Sequence, residues 1–248
     1  MSAADRGFSG SPSSLLEHDL VFLDCEMTGG DPDRHDIIEI GAVRSRLPEL
    51  AVLAELSVKV APRTTRGSNQ TSIRIARYSA KEWKSAIQID EALRQLRQFA
   101  DAAMFVGWAT YNDLLFVRAA AERCGVEGLV GDAYLELQDW AQARLHIART
   151  PGLQSVADQL KVVRDQEHSA IEDAFVSYEV FRILWRFSQE ELDEIVPTLD
   201  WNSYAQLAGP VILEPDALST RLAELAGYVV RGTSREQLIS RRGTFRRD

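Results

Sequence analysis

Two acids stand inside an otherwise apolar run, LVFLDCEM at residues 20–27. If the run is a strand, side chains alternate, so Asp24 and Glu26 share a face with Leu20 and Phe22 while Val21, Leu23, Cys25 and Met27 take the other. Burying two carboxylates on such a face carries a large desolvation cost, and a bound cation is the natural compensation. An isolated D-x-E equally fits a face that opens to solvent. Thr28-Gly29-Gly30, directly after, favours a ligand site, because glycines let a ligand approach the backbone closely. The chemistry such a pair suits is the holding of a hard divalent cation by oxygen ligands. A further acid, Asp113, follows the apolar stretch Met104 to Gly107. That places it near the C-terminal end of a predicted strand, where open α/β sheets collect their ligand sites.

The elements that must position these acids are legible from patterning. Leu20 to Met27 is a β-favouring run closed by a turn, and the polar turn Asp31 to Asp36 leads into a second apolar run, Ile37 to Val43. A third, Ala51 to Val60, precedes Pro62, which predicts an antiparallel meander. Arg63 to Gln70 reads as a loop, Ser79 with Glu82 matches a capping box at a helix start, and Asp90 is placed to cap a helix carrying Leu93, Leu96 and Ala100. The strand Met104 to Gly107 is followed from about Asp113 by helical spacing at Leu114, Val117, Ala121 and Cys124, stopping at Gly125. A short strand is expected at Ala133 to Leu137, then helices at Trp140 to Ile147, Leu153 to Leu160 and Ala170 to Phe187. An amphipathic helix from Asp216 runs through Leu218, Leu222 and Leu225. The chain thus divides into a flexible lead over 1–19, a catalytic domain over 20–187, a helical extension over 188–230 and a solvated, arginine-rich tail over 231–248.

Three segments, VFLDCEMTGGDPDRHDIIEIGAV, GWATYNDLLFV and HSAIED, resemble in order the three motifs of the DEDDh exonucleases. That superfamily includes polymerase proofreading subunits, RNase T and oligoribonuclease. Asp24 and Glu26 stand in the first motif, Asp113 takes the place of the second-motif aspartate, and H-x-x-x-x-D supplies His168 and Asp173. The combination is far more specific than any one part. The resemblance spans Leu20 to Phe187 and implies an α/β fold, an RNase H-like mixed five-stranded sheet with flanking helices, here with a C-terminal helical extension.

It also implies a chemistry. Asp24, Glu26 and Asp173 would hold one divalent cation, with Asp24 also reaching a second, where Asp113 acts through water. Magnesium is the expected ion and manganese the alternative. Four carboxylates without cations would repel and raise one another's pKa, whereas two ions about 4 Å apart would activate the attacking water and stabilise the leaving 3′ oxygen. His168 alone would read as a surface or capping residue. Its spacing to Asp173 gives it the part of general base, suited to an unperturbed pKa of about 6.5. The implied reaction is 3′-to-5′ hydrolysis of single-stranded DNA or RNA ends, releasing nucleoside monophosphates. Met27, Thr28, Trp108 and Tyr111 are the candidate substrate contacts. The second motif departs from the family, which commonly has a His-Asn pair and a following Phe where Trp108-Ala109 and Asn112 stand here. Trp108 and Tyr111 could stack on bases or be buried aromatics, and Tyr78 and Trp83 carry the same two readings. The alternatives are a noncatalytic nucleic-acid-binding or scaffold module on the same fold, and an RNase H-type endonuclease, against which the H-x-x-x-x-D pairing argues.

Composition bounds these expectations. At 248 residues, 45% hydrophobic and 26% charged, the chain suits one globular domain with appendages. A net charge of −9 argues against coating duplex nucleic acid through a broad basic surface, but not against gripping the last few nucleotides of a strand. Cys25 and Cys124 form no C-x-x-C pair, which points to a reducing, cytoplasmic setting, and no segment predicts a membrane span or targeting leader. His18, His35 and His146 receive no role, and Asp31, Asp33 and Asp36 read as turn residues. Glu39 supports the sheet or reaches the site's edge. Arg241, Arg242, Arg246 and Arg247 in the tail suit a solubilising end, with phosphate contact as the alternative.

Overall fold

The computed structural model describes residues 11–65, 67–163, 169–200 and 211–244. Its centre is a mixed sheet of β1 (Asp19–Met27), β2 (Ile37–Arg46), β3 (Ala51–Lys59), β4 (Met104–Gly107), β5 (Ala133–Glu136) and β6 (Val229–Arg231), in the order β3-β2-β1-β4-β5-β6. The predicted meander is present: β1, β2 and β3 pair antiparallel, with Asp24 opposite Gly41 and Glu26 opposite Glu39. β4 runs parallel to β1 and β5 parallel to β4, while β6 closes the far edge antiparallel to β5.

The helices are α1 (Gln70–Ile75), α2 (Ile89–Phe99), α3 (Tyr111–Cys124), α4 (Leu137–Arg144), α5 (Leu153–Gln159), α6 (Ala170–Arg186), α7 (Gln189–Ile195), α8 (Pro215–Ala226) and α9 (Arg235–Thr244). Alternation along β1 works as expected. Leu20 and Phe22 pack with Tyr178 and Phe181 of α6, whereas Val21, Leu23 and Cys25 pack with Leu93 and Leu96 of α2 and Leu114 and Val117 of α3. Each face thereby loses its apolar surface to a helix layer, the main favourable term in such a sandwich. Helix α3 ends as predicted at Gly125, in the left-handed conformation at φ 66°.

Several expectations need correction. Among the described residues the sheet has six strands, because Val229 and Val230, at the end of the segment read as a helical extension, pair with β5 together with Arg231. The segment read as a solvated tail then folds into α9, which buries Leu238 against α3. An arginine-rich composition hid one apolar anchor. In the lead, a 3-10 turn at Pro12–Glu17 buries Leu15 fully beside α8, and residues 1–10 lie outside the described residues. Ser79 does cap, its hydroxyl accepting from Glu82 N–H, yet only turns follow. The helix in that region is α1, held by Asn69, whose side chain accepts from Thr71 and Ser72. Asp90 lies inside α2 rather than at its cap and pairs with Arg94 one turn on. Helix α4 starts earlier than predicted because the Glu136 carboxylate caps it through Gln138 N–H. Helix α7 was not anticipated, although Ser188 and Glu191 form its capping box.

Candidate active site

Asp24 and Glu26 project from β1 toward the layer containing α6. That helix can reach them because Gly41 lies opposite Asp24: a Cβ at Gly41 would overlap the Ala170 carbonyl and the Ile171 amide nitrogen. With no side chain in the way, the start of α6 rests on the β2 backbone, and its first turn delivers Asp173. One donor oxygen from each of Asp24, Glu26 and Asp173 lies within 4.8 Å of the others. Gln154 of α5 donates its side-chain N–H to Asp173 Oδ1 at 2.7 Å, fixing that carboxylate's orientation.

Asp113 arrives from the opposite layer. It sits in the first turn of α3, only 5% exposed, and its Oδ1 accepts the backbone N–H of Cys25 at 3.0 Å. The β4-to-α3 turn is built to place it. A Cβ at Gly107 would come within 2.6 Å of Leu23 O, so the end of β4 presses directly on β1. Ala109 then takes a left-handed φ of 53°, uncommon for a residue with a side chain, and its N–H is held by Glu136 Oε1 at 2.9 Å. The Thr110 hydroxyl donates to Leu135 O.

The electrostatics follow from this convergence. Burial, then the neighbouring charges of Asp113, Asp173, Glu26 and Glu39, drives the Asp24 carboxyl well above the usual range. Burial also pushes Glu26 to about 7, with Asp173 and Glu39 adding to it. Asp113 rises to about 8 through burial, although N–H donation from Cys25 and from its own backbone opposes the rise. None of the principal influences on these three carboxyls is a cation. Glu39, on β2 opposite Glu26, is also raised by burial, against the opposing pull of Lys59 and of the Ser169 hydroxyl that donates to it. It belongs to the acidic field at the site's edge, one of its two sequence readings.

A set of hard oxygen donors, half-buried to buried and raising one another by mutual repulsion, fits divalent cations of the magnesium or manganese kind. Asp24, Glu26 and Asp173 would hold such an ion. Asp113 would extend the set from the α3 side.

The remaining candidates divide. His168 lies outside the described residues. Met27 is half-buried and packs toward the α2 and α3 layer. Thr28 is buried and exchanges hydrogen bonds with Asp36, its hydroxyl accepting from Asp36 N–H at 2.9 Å, so it pins the loop after β1. Trp108 is half-buried with its indole N–H given to Pro151 O at 3.1 Å. Tyr111 is a core residue, 6% exposed, beneath the Arg241 guanidinium at 5.9 Å from the ring. Its reading as a base-stacking surface is therefore replaced by the buried one. Trp83 is likewise buried, donating to Ile38 O at 2.7 Å with Lys59 over its ring, and Tyr78 packs beside it. Sequence reasoning missed Gln154 and Glu136. Neither belongs to a short motif, and both gain their roles only when distant elements meet.

The likeness to known proteins falls on the same span. The family model described as Exonuclease, RNase T, matches residues 21–181. The DNA polymerase III PolC-type protein of Caldanaerobacter subterraneus is 26% identical over 173 residues, covering 70% of this chain and 12% of that protein. Its Thermotoga maritima counterpart is 28% identical over 170 residues, covering 68% and 12%. The chain thus spans about an eighth of the length of these curated relatives. Among solved structures, the nuclease domain of 3′hExo, a DEDDh family member bound to rAMP, has a TM-score of 0.56 at 13% identity over 66% of this chain and 89% of that one. E. coli Exonuclease I in complex with a dA16 oligonucleotide has a TM-score of 0.57 at 12% identity over 77% of this chain and 46% of that one. These structures share the fold.

Proposed function

The chain belongs to the Exonuclease family, and from that premise we propose that it hydrolyses single-stranded DNA or RNA from the 3′ end, with divalent cations, releasing nucleoside monophosphates. The observation that carries the proposal is the meeting of Asp24, Glu26 and Asp173 within 4.8 Å, with Asp113 hydrogen-bonded to the backbone between the first two. The dA16 oligonucleotide and the rAMP bound in the two solved structures support single strands and their terminal nucleotides as the substrate class.

When bound, two divalent ions would supply Lewis acidity to the attacking water and charge stabilisation to the leaving 3′ oxygen. The protein's own residues do the rest. Asp24, Glu26 and Asp173 hold and orient; Gln154 fixes Asp173; Cys25 N–H fixes Asp113. Their shared burial strengthens every charge interaction at the reacting phosphate. His168, five residues before Asp173, takes the proton from the attacking water in this scheme.

The test is a panel of DNA and RNA oligonucleotides labelled at either end, single-stranded or blunt, with magnesium. A ladder shortening from the 3′ end and early release of 3′-labelled mononucleotide are expected. Internal cuts, or mononucleotide released first from the 5′ end, would overturn the polarity. Binding without turnover in excess magnesium or manganese, unchanged by Asp24→Ala, would instead assign a noncatalytic module.

A further inference from the structure

An acidic chain with a net charge of −9 must still hold a polyanion, and its arginines are not evenly spread. Residues 231–248 carry six of them against only Glu236 and Asp248. The fold brings part of this segment against the loop after β1 and the start of α3. Strand β6 ties it to the sheet, and α9 packs along α3, burying Leu238. Arg235 forms an ion pair with Asp33, in the loop that leaves β1. Arg241 is committed to Asp139 of α4 at 2.5 Å and is 12% exposed, so it serves as an anchor.

Arg242 is differently placed. Its Nη2 stands 3.1 Å from the position a Cβ would take on Gly30, and it is half-buried where Gly30 is exposed. Gly30 lies four residues beyond Glu26, and Tyr111, which lies under the neighbouring Arg241, lies two residues before Asp113. The end of α9 is thus held beside both chain segments that supply site acids. A planar guanidinium fixed on an anchored helix, beside a backbone without a side chain, is suited to a phosphodiester oxygen.

We propose that Arg242 is a substrate-binding residue, contacting a backbone phosphate upstream of the 3′-terminal nucleotide, with α9 as the clamp that presents it. The proposal rests on the exonuclease reading above and adds to it where the strand is gripped. Arg235, Leu238 and Arg241 hold the clamp in place. Gly30, with no side chain, lets the guanidinium lie close to the backbone of the loop after β1.

The experiment compares wild type, Arg242→Gln and Arg242→Lys on two substrates across a salt series. One is a single-stranded deoxythymidine decamer. The other is the p-nitrophenyl ester of thymidine 5′-monophosphate, which has no upstream phosphate. For Arg242→Gln, KM for the decamer should rise about ten-fold with kcat little changed, as loss of one charged hydrogen bond implies. Its dependence on log salt should flatten by roughly 0.7, one single-strand phosphate contact. Ester hydrolysis should be unaffected. Arg242→Lys should keep the salt slope and recover part of the KM, which also covers the case in which Arg242→Gln melts early. Unchanged decamer KM and slope in Arg242→Gln, or equal loss on both substrates, would overturn the clamp while leaving the exonuclease reading intact. A wild type that turns over neither substrate would overturn both.

Discussion

Asp113 Oδ1 accepts the backbone N–H of Cys25, at 3.0 Å, across 88 positions of sequence. Cys25 stands between Asp24 and Glu26, so this bond locks the first turn of α3 to the strand that carries the other acids. It separates two roles of one side chain. Asp113→Asn can still accept the bond and should keep stability close to wild type while losing nearly all hydrolysis. Asp113→Ala leaves a buried N–H unpaired and should cost a further 1–3 kcal/mol or so in denaturant unfolding. Equal stability of the two variants would show that the bond does not hold the site together.

Gly41 is required by the closeness of α6. Gly41→Ala puts a methyl group into the Ala170 and Ile171 backbone, so α6 must lift. A stability loss of about 1–3 kcal/mol is expected, together with weaker manganese binding, since Asp173 moves with the helix. Unaltered calorimetric affinity for manganese would mean that Asp173 does not depend on this contact.

The acids also set a pH dependence. Glu26 is held at about 7 and Asp113 at about 8 in the folded protein, with Asp24 raised as well, mainly by burial. In the unfolded chain such groups ionise near pH 4 (roughly). Between those values the folded state binds more protons, so their unfavourable contribution is absent below about pH 4, grows through the window and is complete above about pH 8. Metal-free protein should therefore lose thermal stability from these groups between pH 5.5 and 8, and magnesium should restore most of it at pH 8. A Tm that is flat with pH without metal, or insensitive to magnesium at pH 8, would contradict the mutual repulsion of the acids.

Two residues outside the motifs should affect rate through others. Gln154→Ala removes a 2.7 Å hydrogen bond from Asp173 Oδ1 and should reduce kcat roughly ten- to a hundred-fold, as losing a partner of a metal-holding carboxylate typically does. Glu136→Gln keeps an acceptor for Ala109 N–H and should be mild, whereas Glu136→Ala releases the strained turn before Asp113 and should cut both activity and stability. Steady-state kinetics with matched melting curves distinguish these outcomes, and an inert Glu136→Ala would remove the turn from the positioning of Asp113.

The acids of β1, the meander and the helix ending at Gly125 were legible because each is written in local spacing: alternation in β1, helical periodicity in α3, a left-handed stop. What was not legible depends on meetings between distant elements. Nothing near Gly41 in sequence announces that Ala170 will rest on it, and nothing near Gln154 points to Asp173. The last eighteen residues misled through composition. Their arginines read as solvated, yet Arg231 follows Val229 and Val230 onto the sheet edge at β5 and Leu238 finds the face of α3. Tyr111 carried two readings, stacking or burial, and only its place in the folded core decides between them.

The central claim is tested most directly by counting manganese ions bound to the folded protein by electron paramagnetic resonance, for wild type and for Asp24→Asn. Saturable uptake of two ions by wild type, lost or reduced below one in an Asp24→Asn protein that still unfolds cooperatively, is the expected result. No saturable uptake at millimolar manganese, or the same uptake in both proteins, would show that the acids of β1 do not converge on a cation site.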